Sequence, residues 1–322
     1  SDERRVMRAL SAELATLRSS AVTASKQPVD AETMAKLAAL GYVGGTAAPR
    51  PASSRPDPKQ MVQLFREFEE ATWATTAGRL DEAAAKLEDV LRRDPENPVF
   101  RSSLAKVERQ RGHPQRAIEL YRDAVASAPD DPQGWYNLAS AFQEIGDMKR
   151  AAEAAREALR RDATNPDAHN VLGIADLNDG NPDGALSEFQ AAIAIDPRNA
   201  RAYNNMGNVY RAVHRGAEAE EAYRKALALA PNYPDPLNGL GALEIDRDRY
   251  REALPYFDRA LATAPRHLEA RLNRAVALQL AGDTAAAIAE YRMFLQQSEN
   301  VPAYARQRNA VRSLLVRLEK SL

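Results

Sequence analysis

Small and large apolar residues return along most of the chain at a fixed stride. Prolines set the ruler: Pro95, Pro129, Pro197, Pro231 and Pro265 follow at intervals of 34, 68, 34 and 34, with Ala163 at the skipped mark. Frames of 34 residues on this ruler start at Leu64, Pro98, Pro132, Pro166, Ala200, Pro234 and Leu268. Position 20 of every frame is alanine, from Ala83 and Ala117 to Ala287. Position 8 is Ala or Gly, position 24 is large in all frames but one (Ala155), and position 15 is Gly in five frames. Small residues at 8 and 20 let two antiparallel helices approach, and the large residue at 24 fills the space beside them. Glycine near 15 breaks the first helix into a turn, and proline at 32 ends the second. One such pair buries little apolar surface alone, so neighbours must stack.

The flanks do not obey the ruler. Asp2 to Leu17 predicts a helix with Val6, Leu10, Leu14 and Leu17 on one face. A second, short helix is predicted from an N-cap at Asp30 towards the stop at Gly41. Residues 1–45 form this helical lead-in, and 46–58, with Pro49, Pro51, Pro56 and Pro58, read as a linker. The repeats occupy 59–301. Residues 302–322 predict a capping helix, with Tyr304, Val311, Leu314, Leu315 and Leu318 on one stripe and arginines on the rest.

The repeat pattern resembles the tetratricopeptide repeat. Trp135 to Leu159 and Ala202 to Pro231 carry it best, and seven copies agree in phase over about Leu64 to Val301. The fold expected is all-α, a right-handed superhelical solenoid of about seven helix pairs. The outer repeats depart from the pattern: Glu67 and Glu70, then Arg271 and Arg274, stand where large residues are usual.

Composition narrows the chemistry. The 44 Lys+Arg balance 45 Asp+Glu, which leaves no basic excess for nucleic acid. There is no cysteine, so disulfides, thiolate metal sites and cysteine nucleophiles are excluded. No run approaches the length of a membrane span, so no membrane insertion by this chain is expected. The four histidines fall on different frames without metal-ligand spacing, and no phosphate-cradling or nucleophile-elbow motif occurs. No catalytic residue, metal or cofactor is therefore assigned.

The stretch ETMAKLAALGYVGG, then a Pro/Ser linker and Asp57 to Gln60, is similar to the tail of bacterial sulfatase-like hydrolases of the alkaline phosphatase superfamily that carry appended repeats. That resemblance covers about Asp2 to Gln60. It implies that the repeats are the C-terminal region of a larger hydrolase in a periplasmic or envelope setting, with the hydrolase domain as one possible partner. Alternatives are repeats that complete or gate the attached active site, or an independent adaptor for envelope or secretion assembly.

Two features remain for function. Position 11, often aromatic, is Glu108, Asp176 and Glu244 in the even frames, while the odd ones from the third onward have Phe142, Tyr210 and Leu278 there and Asn137, Asn205 and Asn273 at position 6, which suggests a 68-residue double unit. The carboxylates need Arg or amide partners if buried; hydrogen bonding between repeats or partial exposure is expected, with an acid site as the alternative. In a tetratricopeptide superhelix, positions 2, 5, 6, 9, 12 and 13 line the concave groove. Here that implies Tyr136, Asn137, Ser140, Asn170, Arg201, Asn204, Asn205, Asn208, Arg211, Asn238 and Asn273. Side-chain amides both donate and accept, which suits an extended peptide backbone. The two arginines would favour an acidic side chain or terminal carboxylate. The Asn row is similar to the groove of repeat-bearing O-linked sugar transferases, with breaks at Val171 and Gly239. A non-catalytic scaffold binding a protein or peptide is the function expected.

Overall fold

The computed structural model describes residues 58–320, with side chains from Gln63 onward. The expected lead-in helices and residues 46–57 of the linker lie outside the described residues. Seven helix pairs follow: α1 Pro58–Thr76 with α2 Leu80–Arg93, α3 Pro98–Gln110 with α4 Pro114–Ser127, and α5 Pro132–Glu144 with α6 Met148–Arg161. Then come α7 Pro166–Asn178 with α8 Pro182–Ile195, α9 Ala200–Ala212 with α10 Gly216–Leu229, α11 Pro234–Asp246 with α12 Tyr250–Thr263, and α13 Leu268–Leu280 with α14 Thr284–Ser298. A 3₁₀ turn, Pro302–Tyr304, leads into α15, Ala305–Glu319. There is no strand among the described residues.

From the second repeat on, each frame start is the first residue of a first helix. Asn97, Asp131, Asn165 and Asn199 cap these helices by accepting backbone N–H bonds, and Pro98, Pro132 and Pro166 occupy the first helical position. The first repeat differs. Its helix starts at Pro58, inside the expected linker and six residues before the frame mark at Leu64. Proline is tolerated in a first helical turn, so it opens this helix instead of excluding it.

The packing follows the spacing. All seven position-20 alanines are 0% exposed, from Ala83 to Ala287. Where position 8 is glycine the ring at 24 takes the Cβ space: a Cβ on Gly173, Gly207 or Gly241 would lie 2.5, 2.5 and 2.6 Å from Phe189, Tyr223 and Phe257. Position 15 has a left-handed backbone in every repeat, including His214 (φ 60°) and Asp248 (φ 61°), which are not glycine. Each first helix packs on its own second helix and on the next first helix; second helices make no comparable series of contacts with one another. The stack therefore curves with the first helices on the inner side. One apolar cluster runs continuously from Ala71 to Ala175, whereas the later repeats hold separate clusters around Phe189, Tyr223, Phe257 and Tyr291.

The terminal repeats replace apolar packing with ion pairs between helices. Glu67 meets Arg93, Glu70 meets Lys86 at 2.7 Å, and Arg271 and Arg274 share Glu290 at 2.9 and 2.8 Å. In α15, Val311 and Leu315 are buried beside Tyr291 and Phe294, while Arg306, Arg312 and Arg317 are exposed. Arg308 donates to the carbonyls of Ser298 and Val301, both at 2.6 Å, beside the N–H bonds these carbonyls accept from Val301 and Tyr304, and so ties α15 to the turn that follows α14.

Candidate functional site

The first helices carry the candidate groove on their inner side. Position 2 lies near each N-terminal end, positions 5, 6 and 9 near the middle, and 12 and 13 near the C-terminal end. Ten residues at 1.5 Å each separate positions 2 and 12 by about 15 Å, enough for one extended chain running across the helices.

The middle of the groove is an amide ladder with a register of 35 residues. Asn205 Nδ2 donates to Asn170 Oδ1 at 3.4 Å, and Asn273 Nδ2 donates to Asn238 Oδ1 at 2.9 Å. Each rung joins position 5 of an even repeat to position 6 of the next. Asn170 Nδ2 is also spent, on the Pro166 carbonyl at 3.0 Å. The rung between them is missing. Asn204 holds position 5 of the fifth repeat, but position 6 of the sixth is Gly239. The Tyr223 ring occupies that space: a Cβ on Gly239 would lie 2.4 Å from its Cζ. Asn204 Nδ2 reaches only Asn205 Oδ1 at 3.5 Å, and the buried Asn204 Oδ1 has no hydrogen-bond partner. Asn170 and Asn204 are 0% and 3% exposed, so both belong to the seam between helices and not to the open groove surface. Asn205, Asn238 and Asn273 are half-buried and Asn208 is exposed. Asn208 Oδ1 accepts from the Tyr223 hydroxyl at 2.8 Å, which brings a second-helix side chain through to the inner face. Tyr136, Asn137 and Ser140 are half-buried; Asn137 accepts from Gln133 at 2.9 Å and Ser140 from Arg109 at 3.2 Å.

Ion pairs flank the ladder on both edges. Towards the N-terminal ends, Arg201 meets Asp167 at 2.6 Å and His267 meets Asp235 at 2.8 Å. Towards the C-terminal ends, Arg211 meets Asp246 at 2.6 Å and Arg109 meets Glu144 at 3.4 Å. Both arginines expected to anchor an acidic ligand thus already hold carboxylates of neighbouring repeats. The hydrogen bond from His267 keeps the Asp235 carboxyl below its usual range, and the same bond raises the imidazole. His267 is also the N-cap of α13, its Nδ1 accepting from Ala270 N–H at 3.1 Å.

The position-11 carboxylates brace turns within their own repeats. Glu108 is buried and takes Arg111 at 2.6 Å and His113 at 2.7 Å. Burial pushes its carboxyl up, but these two hydrogen bonds and charges outweigh that and hold it below the usual range. Glu244 is bound in the same way by Arg247 and Arg249, and Asp176 accepts from Asn181 at 3.4 Å. In the third and fifth repeats an arginine lies instead on an aromatic ring: Arg150 on Phe142 and Arg215 on Tyr210, each 4.7 Å from the centroid. Hydrogen bonding within the turn, not between repeats, accounts for these carboxylates. The sequence signal was present, since a basic or amide residue follows each of them by five positions.

Among the described residues no group of three or more His, Cys, Asp or Glu could hold a metal ion. No described helix is long and apolar enough to cross a membrane.

Comparison with known proteins gives one family. A tetratricopeptide repeat model matches residues 69–132, 102–166 and 239–302, half of the chain. A second model of the same description matches 198–263, and a TPR repeat model matches 177–212. Among solved structures, a tetratricopeptide repeat protein from Parabacteroides merdae superposes with a TM-score of 0.66 at 16% identity, covering 79% of this chain and 98% of that one. The thermophilic TPR protein TTC0263 of Thermus thermophilus gives 0.51 at 26% identity, covering 56% of this chain and 99% of that one. The Cut9–Hcn1 hetero-tetramer of the APC/C gives 0.60 at 18% identity; the match covers 67% of this chain and only 43% of that one. No curated protein matches the chain.

Proposed function

Because the chain belongs to the tetratricopeptide repeat family, we propose that it is a non-catalytic interaction scaffold whose inner groove holds an extended segment of a protein partner. The observation that carries this reading is the amide ladder. Asn205, Asn238 and Asn273 are held in place by bonds along the array and stay half-exposed. Each amide keeps acceptor or donor capacity for a ligand backbone, and ordering it in advance lowers the entropic cost of binding. Asn208, exposed and fixed by Tyr223, extends the row. Tyr136, Asn137 and Ser140 continue it into the third repeat.

The resemblance read in residues 2–60 to a hydrolase tail leads us to propose a partner within the same polypeptide, which the full open reading frame tests. The groove itself is tested with a peptide array followed by titration of the best binder. Asn205→Ala and Asn208→Ala should each weaken it, by about three- to tenfold for one lost hydrogen bond. Arg224→Ala on the exposed face of α10 should leave it unchanged. Equal loss in all three variants would remove the groove from the assignment.

A further inference from the structure

Charge is the property of the groove that the ladder does not explain. From the third to the seventh repeat, every charged side chain at positions 2, 5, 6, 9, 12 and 13 has a partner on this chain. Arg201 is held by Asp167, Arg211 by Asp246, Asp235 by His267 and Glu144 by Arg109; Glu269 accepts from Tyr304 at 3.4 Å. The four cation–carboxylate pairs link residues 32 to 35 apart, from one first helix to the next or to its N-cap, so the cations serve the stack. No arginine at these inner positions is left to receive a ligand carboxylate.

Resting on the groove reading above, we infer that the partner segment is uncharged, recognised through its backbone and polar or apolar side chains, and that the groove discriminates against acidic peptides. An acidic side chain entering here would meet Asp167, Asp235 and Asp246 along with the arginines they neutralise. Capturing Arg201 or Arg211 would strand a carboxylate, so any new contact is offset by the one it breaks. The amides between the rails carry no such conflict, and Ile174 and Leu177, half-buried on α7 at positions 9 and 12, offer apolar seats beside them.

The test uses the full chain and three matched peptide series, neutral, acidic and basic, in the same extended scaffold. The neutral series should bind best. Its affinity should change less than about twofold between about 50 and about 500 mM salt, because no ion pair with the ligand is there to be screened. The variant Asp167→Asn/Asp246→Asn frees both arginines. It should gain about tenfold for the acidic series at low salt and lose that gain at high salt. The replaced pairs are solvent-exposed and contribute little to folding, which circular dichroism checks. An acidic or basic series that wins on the unaltered chain, and that weakens with Asn205→Ala, overturns this inference while leaving the groove reading intact. Binding by none of the series, or binding indifferent to Asn205 and Asn208, overturns both.

Discussion

Two asparagines at the same repeat position should respond in opposite directions to the same substitution. Leucine has nearly the shape of asparagine with methyl groups for the amide atoms. At Asn204 it removes a buried carbonyl without a partner. Such an acceptor costs about 1–3 kcal/mol, and the bond sacrificed, to Asn205 at 3.5 Å, is weak. At Asn170 the same change deletes two bonds, from Asn205 and to Pro166, at about 0.5–1.5 kcal/mol each. Both sites are fully buried, so the apolar gain is common and cancels in the comparison. Asn204→Leu should therefore exceed Asn170→Leu in stability by about 2–6 kcal/mol and should exceed the unaltered chain as well. Urea unfolding followed by far-UV circular dichroism gives the global shift. A long repeat array need not unfold in one step, so hydrogen exchange of the α9 amides supplies the local value. If both variants shift equally, or Asn204→Leu is the less stable of the two, the missing rung has no energetic meaning.

Other consequences can be measured in the same way. Gly241→Ala places a Cβ 2.6 Å from Phe257 and should lower stability by about 1–3 kcal/mol, whereas Gly216→Ala, with nothing nearer than 3.8 Å, should be neutral or stabilising in thermal denaturation. His214→Gly relieves a left-handed backbone at φ 60° and should stabilise by about 0.5–1 kcal/mol. Glu108→Ala removes the carboxylate that Arg111 and His113 share, leaving Arg111 its pair with Asp81 at 2.8 Å, and should cost about 1.5–3 kcal/mol in urea titration. The depressed Asp235 carboxyl stabilises above its ordinary value near about 4 and loses this as pH falls through the lower folded value. The raised His267 stabilises fully below about 6.5 and loses this as pH rises through its higher folded value. The stability difference between the unaltered chain and Asp235→Asn should thus peak near about pH 5–6 and shrink on both sides; a difference that grows steadily to pH 9 would contradict the pairing.

The architecture was legible because a short-range rule repeats. Pro98, Pro132, Pro166 and Pro234 open helices where the ruler places them, and the alanine column is buried throughout. The ruler says nothing outside its own span, so the start of α1 at Pro58 was missed: one proline is equally at home in a linker and at a helix start. The groove was legible as a row of positions but not as a set of free groups. A position within a repeat fixes which side of the helix a residue occupies. Whether Asn170 and Asn204 are accessible, and whether Arg201 and Arg211 are free, depends on what the adjacent repeat presents 34 or 35 residues away. That register between position 5 and position 6 needs the three-dimensional offset of successive first helices, which the 34-residue period alone does not supply.

The alternation between rungs has a consequence for how the gene can change length. Excising 34 residues, 199–232, would set the fourth repeat against the sixth. Asp167 would then lose Arg201 and face Asp235, whose cation His267 is already engaged, and Asn170 would face Gly239. Excising 68 residues, 199–266, joins Arg198 to His267. Asp167 then receives His267 in the offset that Asp235 uses now, and Asn170 receives Asn273 in the offset of Asn205. Within the fourth to seventh repeats, crossovers between copies that shift by two repeats preserve the inner seam, and those that shift by one do not. The grammar of insertion and deletion in the fourth to seventh repeats is therefore binary, and a stretch shortened or lengthened in steps of two keeps the alternation of rung and gap without any compensating substitution.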